Sequence, residues 1–265
     1  MKLLLKISFI GSGYCGFQSQ KNGMAVQNVL TAASEKVFSI PCNVTGCSRT
    51  DSGVHALCFC CTVEPKDPEK LKEKWYTVPA GKVHCAYAPH LPKDISVVGA
   101  CEVDDDFHPR YASVGKEYVY KIWAGKADDP FAEGRSCRFR LGIKDYELEK
   151  MRRCAQFFVG EHDFSAFMAS GSKITDAVRN VYYANVESTP DGMVFFTVAA
   201  NGFLYNMVRI MVGTLLDVAK GRIALEDVPG IIESGKRELA GFTAPPEGLY
   251  LNKVFYEEEF NFKCE

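Results

Sequence analysis

The chain has 265 residues, of which 47% are hydrophobic and 24% are charged, and its formal net charge is -2. This composition excludes a disordered or fibrous protein and fits a packed globular chain of one large domain or two small ones. The charge excludes a protein that is strongly basic overall, although a local basic patch would suffice for contact with phosphate groups. Two basic clusters are candidates for such a patch: Arg135, Arg138 and Arg140, and Lys150, Arg152 and Arg153.

The cysteines and the apolar segments bear on where the protein works. Eleven cysteines are an odd number, and most lie in apolar, strand-like runs, which favours a reduced cytoplasmic protein. Cys58 and Cys61 have C-x-x-C spacing, but residues three apart on a strand point to opposite faces, so we expect no metal site. The apolar run that contains Arg209 and Asp217 is too short between charges to span a bilayer, and we expect no membrane contact.

Hydrophobic periodicity predicts the elements of the first half in chain order. They are a strand over Leu3–Phe9, a helix over Ala25–Phe38, a strand at LCFCCTVE, a polar helix over Pro68–Tyr76 and a strand at DISVVGACEV. The loop GCSRTDSGVHA lies between the first helix and the second strand.

The second half opens with a strand and is richer in strands. Its predicted elements are the strand KEYVYKIWAG, the helix DYELEKMRRCAQFFVG capped by Asp145, the strands VRNVYYANVES and MVFFTVAANG around the turn Pro190-Asp191-Gly192, helices over Phe203–Lys220 and Glu226–Ser234, and a strand over Tyr250–Tyr256. Because strands follow strands so often, we expect an α+β fold of two similar α/β domains with mostly antiparallel sheets. We place these domains at residues 1–105 and 106–265.

The loop GCSRTDSGVHA places Asp51 among small residues, with Arg49 two positions before it and His55 four positions after it. Gly, Ser and Asp are also ordinary turn residues, so the loop alone is compatible with a purely structural role. The alternative is that Asp51 carries chemistry.

Arg209 is a charge in the middle of an apolar helix, which requires it to face a cleft or an acid. Asn206, Arg209 and Gly213 share one side of that helix and could line a pocket. A partner among structural acids or helix-end carbonyls is the other possibility. If the partner is Asp51, the cation lowers the pKa of the carboxyl group, and an ionised Asp51 can act as a nucleophile, a base or an electrostatic stabiliser.

Four sequence blocks resemble the TruA family of tRNA pseudouridine synthases. They are GYCGFQSQ, GCSRTDSGVHA, GFLYNMVRIMVGTLLDVAKGR and TAPPEGLYL, in the family's order over residues 13–251, and FHPRYASVGKEYVYKI and GEHDFSAF agree as well. The resemblance implies the pseudouridine synthase fold, with two domains joined around a central cleft and helices on the outer face. The match departs at Ile10, where the family has an acid, and at Ser52 beside Asp51.

The resemblance also implies site residues. Asp51 is the catalytic aspartate that attacks the target uridine, Arg209 is its ionic partner, and Tyr118 packs on the base. Arg49 enters the space that the flipped nucleotide leaves, since a base inside a helical stem must be extruded before it can react. We assign Arg110 and Asn206 to substrate binding.

By the same resemblance the protein needs no cofactor and no metal, forms a homodimer and binds the anticodon arm of tRNA, where uridines at positions 38–40 are isomerised. Basic strips on two subunits could then follow one RNA backbone despite the low net charge. An alternative is a diverged paralogue that binds or remodels RNA without efficient catalysis. A third hypothesis is a cysteine-based enzyme or metal protein that uses Cys47 beside His55.

Overall fold

The computed structural model describes residues 1–21, 23–70, 75–171 and 175–264. The chain forms two compact units, which we call unit 1 (Met1–Val114 with Leu251–Glu265) and unit 2 (Gly115–Tyr250). The boundary therefore lies within a strand, later than the predicted division at 105/106, and the C-terminal segment belongs to unit 1. Local sequence patterns do not encode this assignment, because it depends on which distant strand the last strand pairs with.

In its described residues, unit 1 combines the strands of a sheet with two α-helices. Its strands are β1 (Lys2–Phe9), β2 (Cys42–Gly46), β3 (His55–Pro65), β4 (Ile95–Val103) and most of β10 (Leu249–Tyr256), and its helices are α1 (Val26–Phe38) and α2 (Val83–Tyr87). The strand order is β4-β1-β3-β10, with β2 beside β3. Strand β1 pairs antiparallel with both β3 and β4, and Leu3, Leu4 and Leu5 are fully buried, as expected for a central strand.

Unit 2 combines mostly antiparallel strands with a 13-residue apolar helix. Its elements are β5 (Ser113–Trp123, except its first two residues), β6 (Cys137–Arg138), α3 (Asp145–Gln156), β7 (Gly160–Asp163), β8 (Val178–Ser188), β9 (Met193–Ala200), α4 (Met207–Ala219) and α5 (Val228–Ser234). Strand β9 pairs antiparallel with β5 and β8, β8 pairs antiparallel with β7, and the short β6 is parallel to β5. The predicted α+β class with mostly antiparallel strands is confirmed.

Helix α4 forms the centre of unit 2. All of its residues except Arg209 are buried, which explains why its sequence is apolar on every side rather than amphipathic. Helix α3 packs against both α4 and β8. The helix that contains Arg209 is therefore a core element, and the charge of Arg209 has to be accommodated at its edge.

The structure confirms one local prediction, the turn at residues 190–192, and corrects another, the cap of α3. The turn at Pro190-Asp191-Gly192 is confirmed by a hydrogen bond from Thr189 N–H to Met193 O of 2.8 Å and by φ +102° at Gly192. Asp145 is the first helical residue of α3 rather than its cap, since Glu147 reaches back to accept the N–H of Lys144 at 2.7 Å.

The predicted helix over Pro68–Tyr76 also needs correction. Its described part contains a single 3-10 turn at Pro68–Lys70, and residues 71–74 lie outside the described residues.

The apolar run around Arg209 forms the 13-residue helix α4. In the described part of the chain, no helix combines the length and the apolar character needed to cross a bilayer.

Candidate active site

Asp51 lies in unit 1, in the loop of residues 47–54 between β2 and β3, which we call the Asp51 loop. Its side chain is half-buried, whereas the neighbouring Arg49 is exposed. The carbonyl of Asp51 accepts the N–H of Val54 at 3.2 Å, so the chain turns directly after the aspartate. Asp51 therefore lies on a tight turn, and Arg49, two residues before it, has an exposed side chain.

The segment of residues 11–17, which we call the cradle segment, holds the Asp51 loop. The carbonyl of Tyr14 accepts both the backbone N–H of Gly53 and the hydroxyl of Ser52, each at 3.2 Å. The N–H of Phe17 donates to the hydroxyl oxygen of Thr50 at 3.1 Å. Hydrogen bonds on both sides of Asp51 thus fix the loop against one stretch of backbone.

Two glycines of the cradle segment allow this close approach. A Cβ at Gly16, which also has φ +88°, would lie 2.3 Å from the carbonyl oxygen of Thr50. A Cβ at Gly11 would lie 2.0 Å from the carbonyl oxygen of Val54. These glycines therefore serve backbone-to-backbone packing on the Asp51 loop.

Tyr14 anchors the cradle segment to the rest of unit 1. Its hydroxyl donates to Asp94 Oδ1 at 2.8 Å. Burial and this carboxylate together raise the pKa of Tyr14 to about 12, so the phenol stays protonated and keeps donating at neutral pH. Asp94 precedes β4, so the contact ties the site to the sheet.

Arg110 lies in unit 1, in the turn before β5, and its side chain is exposed. Its backbone N–H donates to His108 Nδ1 at 3.2 Å, and its carbonyl accepts the hydroxyl of Ser113 at 2.9 Å. The backbone of Arg110 is held in place while its guanidinium stays accessible to a ligand.

Tyr118 lies in unit 2 on β5, opposite Val198 of β9, and only 7% of its surface is exposed. Its ring meets the ring of Phe203 edge to face, with centroids 5.0 Å apart and planes at 83°. This packing fixes the tyrosine ring in one orientation. Phe203, which the sequence analysis assigned to the following helix, thus contacts the predicted site residue Tyr118.

Arg209 is half-buried in unit 2, and two hydrogen bonds hold its guanidinium. Its Nε donates to the carbonyl of Ala244 at 2.6 Å, and a terminal nitrogen donates to Asn206 Oδ1 at 2.7 Å. The two bonds fix the plane of the guanidinium. Asn206 therefore orients Arg209, a role that its spacing of three residues made possible.

The predicted helix over Phe203–Lys220 starts too early, and its small residue does not line a pocket. Asn206 adopts the left-handed conformation, with φ 60°, so α4 begins at Met207 and residues 203–206 form a loop. A Cβ at Gly213 would lie only 1.7 Å from the carbonyl oxygen of Phe242, so Gly213 serves close packing of α4 on the segment at 241–243.

The predicted site residues fall into two groups, one in each unit. Asp51 and Arg49 share the Asp51 loop of unit 1, and Arg110 lies elsewhere in the same unit. Asn206 and Arg209 are bonded to each other in unit 2, which also holds Tyr118. The pairing of Asp51 with Arg209 joins residues of different units and stays a prediction.

The arginines of the first basic cluster differ in how far they are accessible. Arg138 donates to the carbonyls of Trp123 and Gly125 and to Asp128, so it holds its own loop together. Arg140 is largely exposed and shares Asp128. Of these two, Arg140 is better placed to meet a ligand.

The cysteine hypothesis can be compared with the local contacts. Cys47 is buried and its Sγ accepts the N–H of Cys60 at 3.4 Å, whereas Nδ1 of His55 accepts the N–H of Gly11 at 2.9 Å. Both contacts help to hold the Asp51 loop. Among the described residues, no three His, Cys, Asp or Glu side chains are grouped so that they could hold a metal ion.

The chain is similar to known proteins over nearly its whole length. Residues 154–257 match the family model described as tRNA pseudouridine synthase. The tRNA pseudouridine synthase A of Ruminiclostridium cellulolyticum is 39% identical over 96% of this chain and 99% of its own length. The corresponding protein of a Thermoanaerobacter species is 41% identical over 96% and 99%. That of Staphylococcus aureus is 37% identical over 97% and 93%.

A solved structure is more distant. One chain in a crystal structure of a Cbf5-Nop10-Gar1 complex aligns with 96% of this chain and 50% of its own length, at a TM-score of 0.37 and 13% identity, which is too low to support an assignment. The three relatives, by contrast, are 37–41% identical over 96–97% of this chain and 93–99% of their own length. The chain therefore belongs to the tRNA pseudouridine synthase A family.

Proposed function

We propose that the protein isomerises uridine to pseudouridine in the anticodon stem and loop of tRNA, with Asp51 as the nucleophile. The observation that carries the proposal is the end-to-end similarity to proteins named tRNA pseudouridine synthase A. The local geometry supports it, since Asp51 is half-buried on a loop fixed by hydrogen bonds on both sides. A preorganised carboxylate of this kind suits attack on a bound nucleotide.

The reaction itself is balanced without a second substrate. The bond between N1 of the uracil and C1′ of the ribose breaks, the base turns, and a bond forms between C5 and C1′. C5 loses a proton and N1 gains one. In this scheme the carboxylate of Asp51 bonds to C1′ as the bond from C1′ to N1 breaks, and it leaves again as C5 bonds to C1′. Its carboxyl group therefore has to be ionised when the nucleotide arrives.

The other predicted site residues receive roles in holding the base, the carboxylate and the RNA. Tyr118, fixed by Phe203, packs on the extruded base, and Arg209, oriented by Asn206, pairs with the carboxylate of Asp51. The exposed Arg49 enters the base stack when the target uridine leaves it, where a planar guanidinium can stack. Arg110 contacts the RNA near the target.

The partner is tRNA, bound by a homodimer. The chain carries a net charge of -2, so its attraction to RNA has to come from local clusters such as the exposed Arg140. Two copies double the number of such clusters along one backbone. Affinity then depends mainly on phosphate contacts, away from Asp51.

The proposal is tested with tRNA transcripts and four proteins: wild type, Asp51→Asn, Asp51→Ala and the control Asp106→Asn, which alters an exposed aspartate of the same unit. Pseudouridine is mapped by its carbodiimide adduct and primer extension, and tRNA binding is measured by filter retention. We expect modification in the anticodon arm by wild type and control only, at least about 1,000-fold less product from both Asp51 variants, and similar tRNA binding by all four.

The possible contrary results separate the parts of the proposal. Turnover by Asp51→Asn would show that Asp51 is not the nucleophile. Pseudouridine confined to another arm of the tRNA would overturn the assigned substrate region while leaving the reaction intact. Binding without any product from wild type would favour a diverged RNA-binding paralogue.

A further inference from the structure

His55 is the first residue of β3 and follows the Asp51 loop directly. Only 1% of its surface is exposed. A buried imidazole needs defined hydrogen-bond partners, and its position after the loop makes those partners relevant to how Asp51 is held.

The imidazole of His55 binds the cradle segment through one specific atom. Nδ1 accepts the backbone N–H of Gly11 at 2.9 Å, so this nitrogen carries a lone pair rather than a proton. Gly11 is also the residue whose Cβ would collide with the carbonyl of Val54. The contact therefore lies at a close approach of the cradle segment to the Asp51 loop.

Separate hydrogen bonds hold the chain before and after Asp51. On the preceding side, the N–H of Phe17 holds Thr50; on the following side, the Tyr14 carbonyl holds Gly53, and His55 closes the loop onto Gly11. Loss of the bond to His55 would remove a polar link between the end of the loop and the cradle segment. Small displacements of a reacting group are costly in rate, since a shift of about 1 Å can cost about 100-fold.

We propose that His55 is a positioning residue for Asp51, acting through the hydrogen bond between its Nδ1 and the N–H of Gly11. The inference rests on the proposed function in one respect, that Asp51 is the nucleophile. His55 itself touches neither the base nor the ribose in this scheme. It sets the end of the Asp51 loop and thereby the direction of the carboxylate.

Three substitutions distinguish this role from simple filling of space. His55→Asn places an amide oxygen near the position of Nδ1, His55→Gln places its amide near the position of Nε2, and His55→Leu has no acceptor. We expect kcat to fall about 10- to 100-fold in the Leu and Gln variants and less than about fivefold in the Asn variant, with tRNA Kd within about twofold of wild type throughout. His90→Leu, which alters an exposed histidine, is the control and keeps wild-type kcat.

A second readout is independent of catalysis. Hydrogen–deuterium exchange should rise over residues 10–17 and 47–55 in the Leu and Gln variants and stay near wild type in the Asn variant. If wild type forms no pseudouridine, the proposed function fails, and the exchange pattern still tests the bond. The inference is overturned if the Leu variant keeps wild-type kcat, or if the Asn and Gln variants are equally impaired. If the Leu variant does not fold, the comparison of the Asn and Gln variants decides.

Discussion

Gly11 and Gly13 stand two residues apart in one short turn, yet their surroundings differ completely. A Cβ at Gly11 would lie 2.0 Å from a backbone oxygen, that of Val54, whereas a Cβ at Gly13 would meet nothing within 4 Å. Neither has a positive φ, so the comparison isolates space from backbone strain. The first position is restricted to glycine by the Asp51 loop, and the second is not.

We therefore expect Gly11→Ala to displace the Asp51 loop and Gly13→Ala to leave it in place. The methyl group added at position 11 has to push against backbone, which cannot rotate away, so kcat on tRNA should fall at least about 10-fold and the unfolding midpoint should drop. Gly13→Ala should keep both within error of wild type. Equal activity of the two variants would contradict the cradle contact as the reason for glycine at position 11.

At the residue scale, the sequence indicated which residues are unusual but not which residues they bind through hydrogen bonds. Asp51 and Arg209 could be singled out because an acid in a small-residue loop and a charge in an apolar helix are exceptions to local rules. The hydrogen bond from Arg209 to the carbonyl of Ala244 could not be foreseen, since that carbonyl comes from 35 residues further along the chain. The same holds for Tyr14 and Asp94, which are 80 residues apart.

At the scale of elements, helices α3 and α4 are joined by a buried ion pair. Lys220, directly after α4, donates to both carboxylate oxygens of Glu147 at 2.9 Å and to the carbonyl of Gly142 at 2.7 Å. The side chains are 6% and 15% exposed for Glu147 and Lys220 respectively. Burial raises the pKa of Glu147, but the hydrogen bonds from Lys220 and from Lys144 N–H outweigh it and leave this pKa below the ordinary glutamate value.

This pair predicts an acid-dependent part of the stability. Because the folded-state pKa of Glu147 is lowered, its contribution is complete above the unfolded value of about 4.3 and is lost as the pH falls through the folded value. Glu147→Gln keeps an acceptor for Lys144 N–H but leaves Lys220 without its counter-charge, so we expect about 3 kcal/mol lower stability at pH 7 and a smaller difference near pH 3.

Denaturant unfolding at the two pH values measures the effect. The control is Glu149→Gln, whose partner Arg152 lies 3.4 Å away in an exposed pair and which should cost under about 0.5 kcal/mol. A Glu147→Gln penalty that did not shrink on acidification would show that packing, and not charge, joins the two helices.

Most elements could be predicted from periodicity, and the misplaced helix start has a physical cause. Strands such as β8 and helices such as α1 agree with the sequence pattern to within a residue or two. The start of α4 was misplaced because a left-handed Asn206 ends the preceding loop, whose apolar residues continue the pattern of the helix. Conformations set by a tertiary contact, here Phe203 on Tyr118, leave no periodic signal.

At the scale of the whole molecule, unit 1 is assembled from both ends of the chain. After β10, the C-terminal segment packs on unit 1 through Phe260, whose ring lies 5.2 Å from that of Phe107 and 5.3 Å from that of Tyr256. Further on, Lys263 exchanges two backbone hydrogen bonds with Ala100 of β4. The last residues of the sequence thus complete the unit that the first residues begin.

Phe260→Ala should consequently destabilise unit 1 and spare unit 2. The ring is half-buried, so its loss should cost about 1–2 kcal/mol, which corresponds to roughly 5- to 30-fold faster exchange of amides that open with the unit. Hydrogen–deuterium exchange should show this increase in β1 and β4 while β8 and β9 keep wild-type rates. Phe131→Ala, which removes a ring that is 87% exposed in unit 2, serves as the control and should change neither unit. Faster exchange spread equally over both units after Phe260→Ala would mean that they unfold as one body, whereas a change confined to unit 1 requires that the C-terminal segment stabilises the unit that carries Asp51.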